Sequence, residues 1–316
     1  MDEAMTDLTL AIITKVFFGV DATGQAREIA EAVGYLSDLA VREFETLITP
    51  PRWLPLASVK RKWAAIRTLD EFIRGIIKQR RAEGNTDRGD LLSMLLRAVD
   101  EEGDGGQMTD EQARDEAMVL FLAGHDTTAA GLIWAWYVLA KHPEIQAKVQ
   151  AELDRELAGR EVTVADLPRL AYLERVIKES LRLYPPAVGV FTRYVAEPVE
   201  IGGYPLRRRS LIHILSYVTQ RDARWFPEPE RFDPDRWLPE RCAGLPQFAY
   251  FPFGGGPRVC IGRELATTEM MLILATLLRR FEVALPPEQG KVEMLVHMSL
   301  RPKGGLRVQL KARSGQ

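Results

Sequence analysis

The residues best placed to do chemistry lie in the stretch FGGGPRVCIG, Phe253 to Gly262. Three glycines, a proline and an arginine precede Cys260, one of two cysteines in a chain of 316 residues. An isolated cysteine is most often a small buried hydrophobe, but this setting favours more. Gly254, Gly255 and Gly256 open backbone conformations closed to other residues and let a flat object approach closely, and Pro257 stiffens the turn. Cys260 falls just before or at the first turn of a long apolar helical pattern. Unpaired N–H groups and the positive end of the helix dipole favour a thiolate there. Such a thiolate suits a nucleophile or a metal ligand.

A nucleophile would want a histidine or an acid as its base, and neither lies nearby in sequence. Two cysteines and four scattered histidines, without CxxC or HExxH spacing, do not make a zinc cluster. A cofactor must then supply most of the donors to any metal. A thiolate as sole protein ligand fits haem iron, where the porphyrin supplies four nitrogens. Arg258 would point at a propionate, and N–H groups after Cys260 would tune the sulfur.

Two further segments carry polar groups in apolar surroundings. In AGHDTT, Ala123 to Thr128, the small Ala123 and Gly124 would let a flat group lie against a helix. Mid-helix glycine costs about 1 kcal/mol relative to alanine, for which simple helix packing is the plain explanation. The Asp126 carboxylate is costly in an apolar helix unless paired or wet. In ESLR, Glu179 and Arg182 share one helix face, where an ordinary surface ion pair is the commonest case. Arg236, in FDPDRW, could make that pair a carboxylate between two guanidinium groups; Arg231 competes for the role with poorer spacing.

The elements that must position these residues are mostly helices. Helical spacing begins at Leu8, Ile12 and Ile13, recurs from about Gln25 to Leu47, and returns with Trp63, Ile66, Leu69, Ile73 and Ile76. The longest pattern runs from about Thr109, with a Thr109–Gln112 capping box, to Lys141. At about 1.5 Å per residue it spans roughly 50 Å. Helices follow over 143–157 and 170–183, and Tyr184-Pro185-Pro186 stops them. Short strands come next, with turns at Gly202-Gly203 and Tyr204-Pro205. A long proline-rich coil, a helix from Gly262 to Phe281 and a terminal hairpin in HMSLRPKGGLRVQL complete the chain. One mainly α domain with small β-sheets over 1–316 is expected, helical to about 184 and β-rich from about 185.

Composition excludes several function classes. A net charge of −2 and basic runs that are only short, such as Arg207 to Arg209, give no reason to expect nucleic acid. Two cysteines and no signal-peptide pattern argue for a reducing compartment, hence a cytoplasmic location. No apolar run reads as long enough to span a bilayer; LTLAIITKVFFGV is short and carries Lys15.

With these residues in view, the chain resembles the cytochrome P450 family. Phe253, Gly256, Arg258, Cys260 and Gly262 match its haem loop, F-x-x-G-x-R-x-C-x-G. AGHDTT is similar to its oxygen-activation segment, ESLR to its E-x-x-R, and FDPDRW to its meander, in the family's order. The resemblance implies the P450-type fold without its N-terminal part, and haem b (iron protoporphyrin IX) on Cys260. Arg258 and Arg193 would hold the propionates. Gly124 would open the long helix locally for O2, Asp126 and Thr127 would handle water and protons, and Thr128 would be the supporting hydroxyl. His125 is structural. Glu179, Arg182 and Arg236 would anchor the meander. Val119, Leu120, Ala123, Val188, Val190, Met298 and Leu300 would line the substrate pocket.

The sequence departs from the family in one respect. No W-x-x-x-R motif occurs over 1–60, and Trp53 has no arginine four residues on. Part of the haem's cover is therefore expected to be missing. The favoured function is a haem-thiolate monooxygenase inserting one atom of O2 into an apolar, fatty-acid-like or other long hydrophobic substrate. No flavin domain follows Gln316, so electrons are expected from a separate ferredoxin, flavodoxin or flavoprotein reductase. The alternative is a non-catalytic relative with weak or no haem binding, and a peroxide-driven enzyme is a lesser option. A non-functional chain need not keep both Asp126-Thr127 and Cys260, which favours the enzyme.

Overall fold

The computed structural model describes residues 1–20, 26–46, 49–84, 86–99, 105–189, 191–296 and 298–313. By internal contacts the chain divides into two units, one of Glu3–Ala129 and one of Met1–Asp2 with Ala130–Gln316.

The first unit holds α1 (Asp2–Phe18), α2 (Ala26–Thr46), α3 (Ala57–Ala82), α4 (Leu91–Arg97) and the start of α5 (Asp110–Lys141). Its core is aromatic at one point: the ring of Phe18 meets Phe72 edge-on at 5.9 Å and Phe121 at 5.7 Å. Arg80 of α3 is buried and reaches both carboxylate oxygens of Asp90, Ser93 Oγ and the carbonyl of Phe18. Asp90 in turn caps α4 by accepting from Ser93 N at 2.8 Å. The helix α5 opens with the expected reciprocal cap, Thr109 N donating to Gln112 Oε1 and Gln112 N to Thr109 Oγ1.

The second unit holds the rest of α5, α6 (Pro143–Leu157), α7 (Ala171–Leu183), β1 (Phe191–Tyr194), β2 (Val199–Ile201), β3 (Tyr204–Leu206) and β4 (Leu211–Ile214). It continues with α8 (Ser216–Thr219), α9 (Pro239–Cys242), α10 (Arg263–Arg280), β5 (Phe281–Ala284), β6 (Met294–Val296), β7 (Leu300–Pro302) and β8 (Gln309–Ala312). The core lies where α10 packs on α6 and α7. There Gly131 of α5 leaves room for Met270 Sδ and Leu181 Cδ2, which a side chain would meet at 3.2 and 3.6 Å. Among the described residues the strands form four antiparallel pairs, β1–β4, β2–β3, β5–β8 and β6–β7.

Three sequence expectations need correction. The terminal hairpin does not form: β7 pairs with β6, and β8 returns to β5 directly after α10. Local turn residues cannot reveal a partner so distant in sequence. Only Gly202 and Gly203 make the β2–β3 turn, both at positive φ, while Tyr204 and Pro205 lie inside β3. Finally, α5 is long and apolar enough to cross a membrane by length and composition, contrary to the expectation that no segment is. Its most apolar stretch is 56% buried, so packing within the fold already uses much of that surface.

Candidate active site

In the second unit, the loop carrying Cys260 is closed by its own backbone. Cys260 N donates to Phe253 O at 2.9 Å, Gly254 N to Phe251 O at 2.9 Å, and Val259 N to Gly256 O at 3.0 Å. Gly254 and Gly256 take φ of 75° and 68°, the left-handed region that only glycine enters freely. Gly255 is extended and needs its missing side chain for a different reason, because the Phe248 ring occupies that place. Gly262 caps α10, and a side chain there would meet Cys260 Sγ at 3.8 Å. Phe253 is half-buried, whereas Arg258, Cys260 and Ile261 are exposed. The thiol therefore stands on a backbone-locked loop ahead of the α10 N-terminus, where the helix dipole favours negative charge.

Behind the loop lies a buried polar network. Glu179 takes two hydrogen bonds of 2.9 Å from Arg182, one of 3.3 Å from Arg236 Nε, one from Asp233 N and one of 3.0 Å from Trp237 Nε1. Arg231 does not enter through its side chain, which pairs with Glu228; its carbonyl accepts from Arg182. Two further members, Trp237 and Gln220, are not foreseen by the motif reading. Gln220, fully buried, donates to the carbonyls of Leu181 and Arg182 and accepts from Phe251 N at 2.9 Å. No motif flags a single glutamine at the end of a short helix.

The remaining positions in this unit lie on β1, in the segment before it, and at β7 and the residues leading into it. Arg193 is exposed on β1, with Nη1 donating to Thr192 O. Val188 is half-buried, and its carbonyl accepts from Ser216 Oγ and Tyr217 N. Met298 is exposed. Leu300 is 1% exposed, its N–H bonded to Pro186 O and its carbonyl to Trp134 Nε1, which makes it core rather than the lining of an open pocket. Val190 lies outside the described residues. On α10, the buried carboxyl of Glu269 has no hydrogen-bond partner among the described residues, and burial pushes its pKa up to about 7. A glutamate inside the apolar run ATTEMMLILA is the visible signal for it.

In the first unit, Val119, Ala123 and Thr127 recur every fourth residue and form an exposed stripe on α5. Leu120, Gly124 and Asp126 are half-buried beside it, while His125 and Thr128 are buried. His125 keeps a structural setting: its Nδ1 lies 3.2 Å from Phe121 O, and its carbonyl accepts from Thr9 Oγ1. The helix runs unbroken through this segment, so the expected local opening at Gly124 is absent. Gly124 is small because Ile13 of α1 packs there; a Cβ would meet Ile13 Cδ1 at 2.9 Å. Thr127 and Thr128 donate back to the carbonyls of Ala123 and Gly124, each at 2.9 Å.

Among the described residues, no group of three or more His, Cys, Asp or Glu side chains is placed to hold a metal ion. A single exposed cysteine on a backbone-locked loop fits a prosthetic group that brings its own further donors.

The cytochrome P450 family model matches residues 1–310. The chain is 40% identical over 299 residues to cyclooctatin synthase of Streptomyces melanosporofaciens, covering 94% of this chain and 64% of that protein. It is 34% identical to cytochrome P450 4V2 of Homo sapiens, covering 98% of this chain and 63% of the relative, and 34% identical to pentalenene oxygenase of Streptomyces avermitilis, covering 97% and 67%. The solved heme domain of cytochrome P450DA superposes with a TM-score of 0.89 at 28% identity, covering 99% of this chain and 68% of that one. The chain belongs to the cytochrome P450 family, whose cofactor is haem. It spans a little under two thirds of the length of the first two of these relatives.

Proposed function

We propose that this chain is the haem-bearing part of a monooxygenase that inserts one atom of O2 into an apolar organic substrate. The observation that carries the reading is the geometry of Cys260, an exposed thiol on a loop locked by the Phe253–Cys260 hydrogen bond at the head of α10. Haem b, held without covalent attachment, would supply the iron and its redox chemistry. Cys260 would hold the iron as thiolate, and Arg258 and Arg193 would hold the propionates. Thr127, Asp126 and Thr128 would position water and pass protons, with Thr127 Oγ1 the hydroxyl on the exposed stripe. The network around Glu179 would keep the loop in place from behind.

The relatives named an oxygenase of pentalenene and a synthase of cyclooctatin support an apolar, largely hydrocarbon substrate. We further propose that electrons come from a separate ferredoxin, flavodoxin or flavoprotein reductase, that the whole chain acts as one catalytic domain, and that it works in the cytoplasm.

The test is the spectrum of the reduced protein under carbon monoxide. Haem-supplied expression should give the thiolate-type band from which the family takes its name. Cys260→Ala and Cys260→His should lose it. A surviving band would remove Cys260 as the ligand, and no haem uptake at all would leave the non-catalytic alternative standing. With haem bound, Thr127→Ala should release more peroxide per electron consumed.

A further inference from the structure

The pattern around Cys260, F-x-x-G-x-R-x-C-x-G, fixes Phe253 and Gly256 but leaves the two positions between them open. Both are glycine here. Gly254 is accounted for by its φ of 75°. Gly255 is not, because its φ of −168° and ψ of 170° are extended backbone that any residue adopts. Its reason lies outside the pattern. A Cβ on Gly255 would overlap Phe248 Cε1 and would meet Cδ1 at 3.2 Å and Cζ at 3.4 Å. The Phe248 ring therefore lies directly on the bare backbone of Gly255.

The backbone that presents this ring is held. Ala249, 2% exposed, donates from its N–H to Pro246 O at 2.9 Å, and Phe251 N donates to the buried Gln220. Phe248 itself is 55% exposed, so one part of its ring faces solvent and another faces the loop. On the loop side, Gly255 stands between two glycines at positive φ. Glycine has the most conformational freedom to lose on folding, and three in a row have no side chain of their own to fix their shape. The ring is a side chain lent to them from outside. The turn it covers leads straight to the thiol, through the bonds from Val259 N to Gly256 O and from Cys260 N to Phe253 O.

We propose that Phe248 is a positioning residue for the Cys260 thiol. Its ring, seated on Gly255, sets the conformation of the three-glycine turn, and residue 255 is glycine in order to seat it. The proposal rests on the haem reading of Cys260 for its spectroscopic part; the hold on the loop is a property of the chain with or without haem.

The test is a double-mutant cycle of wild type, Phe248→Ala, Gly255→Ala and the double variant, on the full chain, with Phe248→Tyr as the conservative replacement. Without haem, amide exchange at Val259 and Cys260 should quicken in both single variants and keep its wild-type rate in Phe248→Tyr. In the double variant the alanine methyl group fills space the ring has left, so part of the protection should return. The departure from additivity should be about fivefold in rate, a usual size for residues in contact. Exchange at Leu300 N, bonded to Pro186 O elsewhere in this unit, should not change. With haem, the thiolate-type share of the reduced carbon monoxide spectrum should fall in both single variants and recover in the double variant and in Phe248→Tyr. Unchanged exchange at Val259 and Cys260 in Phe248→Ala would mean that the ring merely rests on the loop, and would overturn the proposal. Equal acceleration at Leu300 would overturn it too, by assigning the effect to overall stability. So would altered exchange with the same thiolate share throughout. If Gly255→Ala does not fold, Phe248→Ala and Phe248→Tyr decide the matter alone. Expected exchange with no haem uptake in any of the proteins would remove the haem reading and support the hold of Phe248 on the loop.

Discussion

Gln220 Oε1 accepts a hydrogen bond from Phe251 N at 2.9 Å while the same amide donates to the carbonyls of Leu181 and Arg182. One side chain thus ties the end of α7 to the start of the loop that presents Cys260. Gln220→Leu would leave an N–H and two carbonyls buried without this partner. Each such group costs about 1–3 kcal/mol. The expected result is a loss of about 2–4 kcal/mol in denaturant unfolding, together with faster amide exchange at Phe251. Unchanged exchange there would show that the loop does not depend on Gln220.

Glu179 is completely buried and serves Arg182, Arg236, Asp233 N and Trp237 Nε1 together. Glu179→Gln removes the carboxylate that two guanidinium groups share, and breaking a buried pair in this way costs about 3–5 kcal/mol. Adding Arg236→Met relieves one of the two stranded charges. The double variant should therefore be more stable than the sum of the single losses by about 1 kcal/mol or more. Strict additivity in a double-mutant cycle would contradict a shared network.

Glu269 gives the protein a pH dependence of stability. Burial raises its pKa from 4.5 to about 7, so between those values the folded state holds a proton that the unfolded state has already released. Stability is full below pH 4.5 and falls as pH rises to about 7, after which the penalty is constant. The penalty is on the order of 3 kcal/mol, since each pH unit across that interval costs about 1.36 kcal/mol. Glu269→Gln should flatten the stability profile between about pH 4.5 and 7, in a urea titration repeated at each pH. An equally steep profile in the variant would place the titrating group elsewhere.

Gly124→Ala should change sign with its neighbour. Alone, it pushes a methyl group against Ile13 and should cost about 1–2 kcal/mol, as overpacking does. In an Ile13→Ala background the clash is gone and the better helix propensity of alanine, about 1 kcal/mol, should appear as a gain. Thermal unfolding of the four proteins in the cycle measures this directly.

The helices were legible because their apolar residues repeat at helical spacing, and α5 was bounded by a cap of the right residue types, Thr109 and Gln112. The Cys260 loop was legible because glycine, arginine and cysteine at fixed spacing leave few alternatives. What escaped were relations between residues remote in sequence. The space beside Gly124 is filled by Ile13, and β8 pairs with β5 across the whole intervening β6–β7 hairpin. Gln220 belongs to no motif, and neither do Arg80 and Asp90, a buried pair linking α3 to α4. Period and motif carry no record of which distant side chain occupies a gap.

Leu300 illustrates what this means for altering substrate range. Both its peptide groups are committed, to Pro186 O and to Trp134 Nε1, and its side chain is enclosed. A mutant library built on pocket positions drawn from sequence alone would include it, and its variants would be scored inactive for want of soluble protein. Val119 and Met298, by contrast, are exposed, and changes of side-chain size there should leave thermal unfolding unaltered.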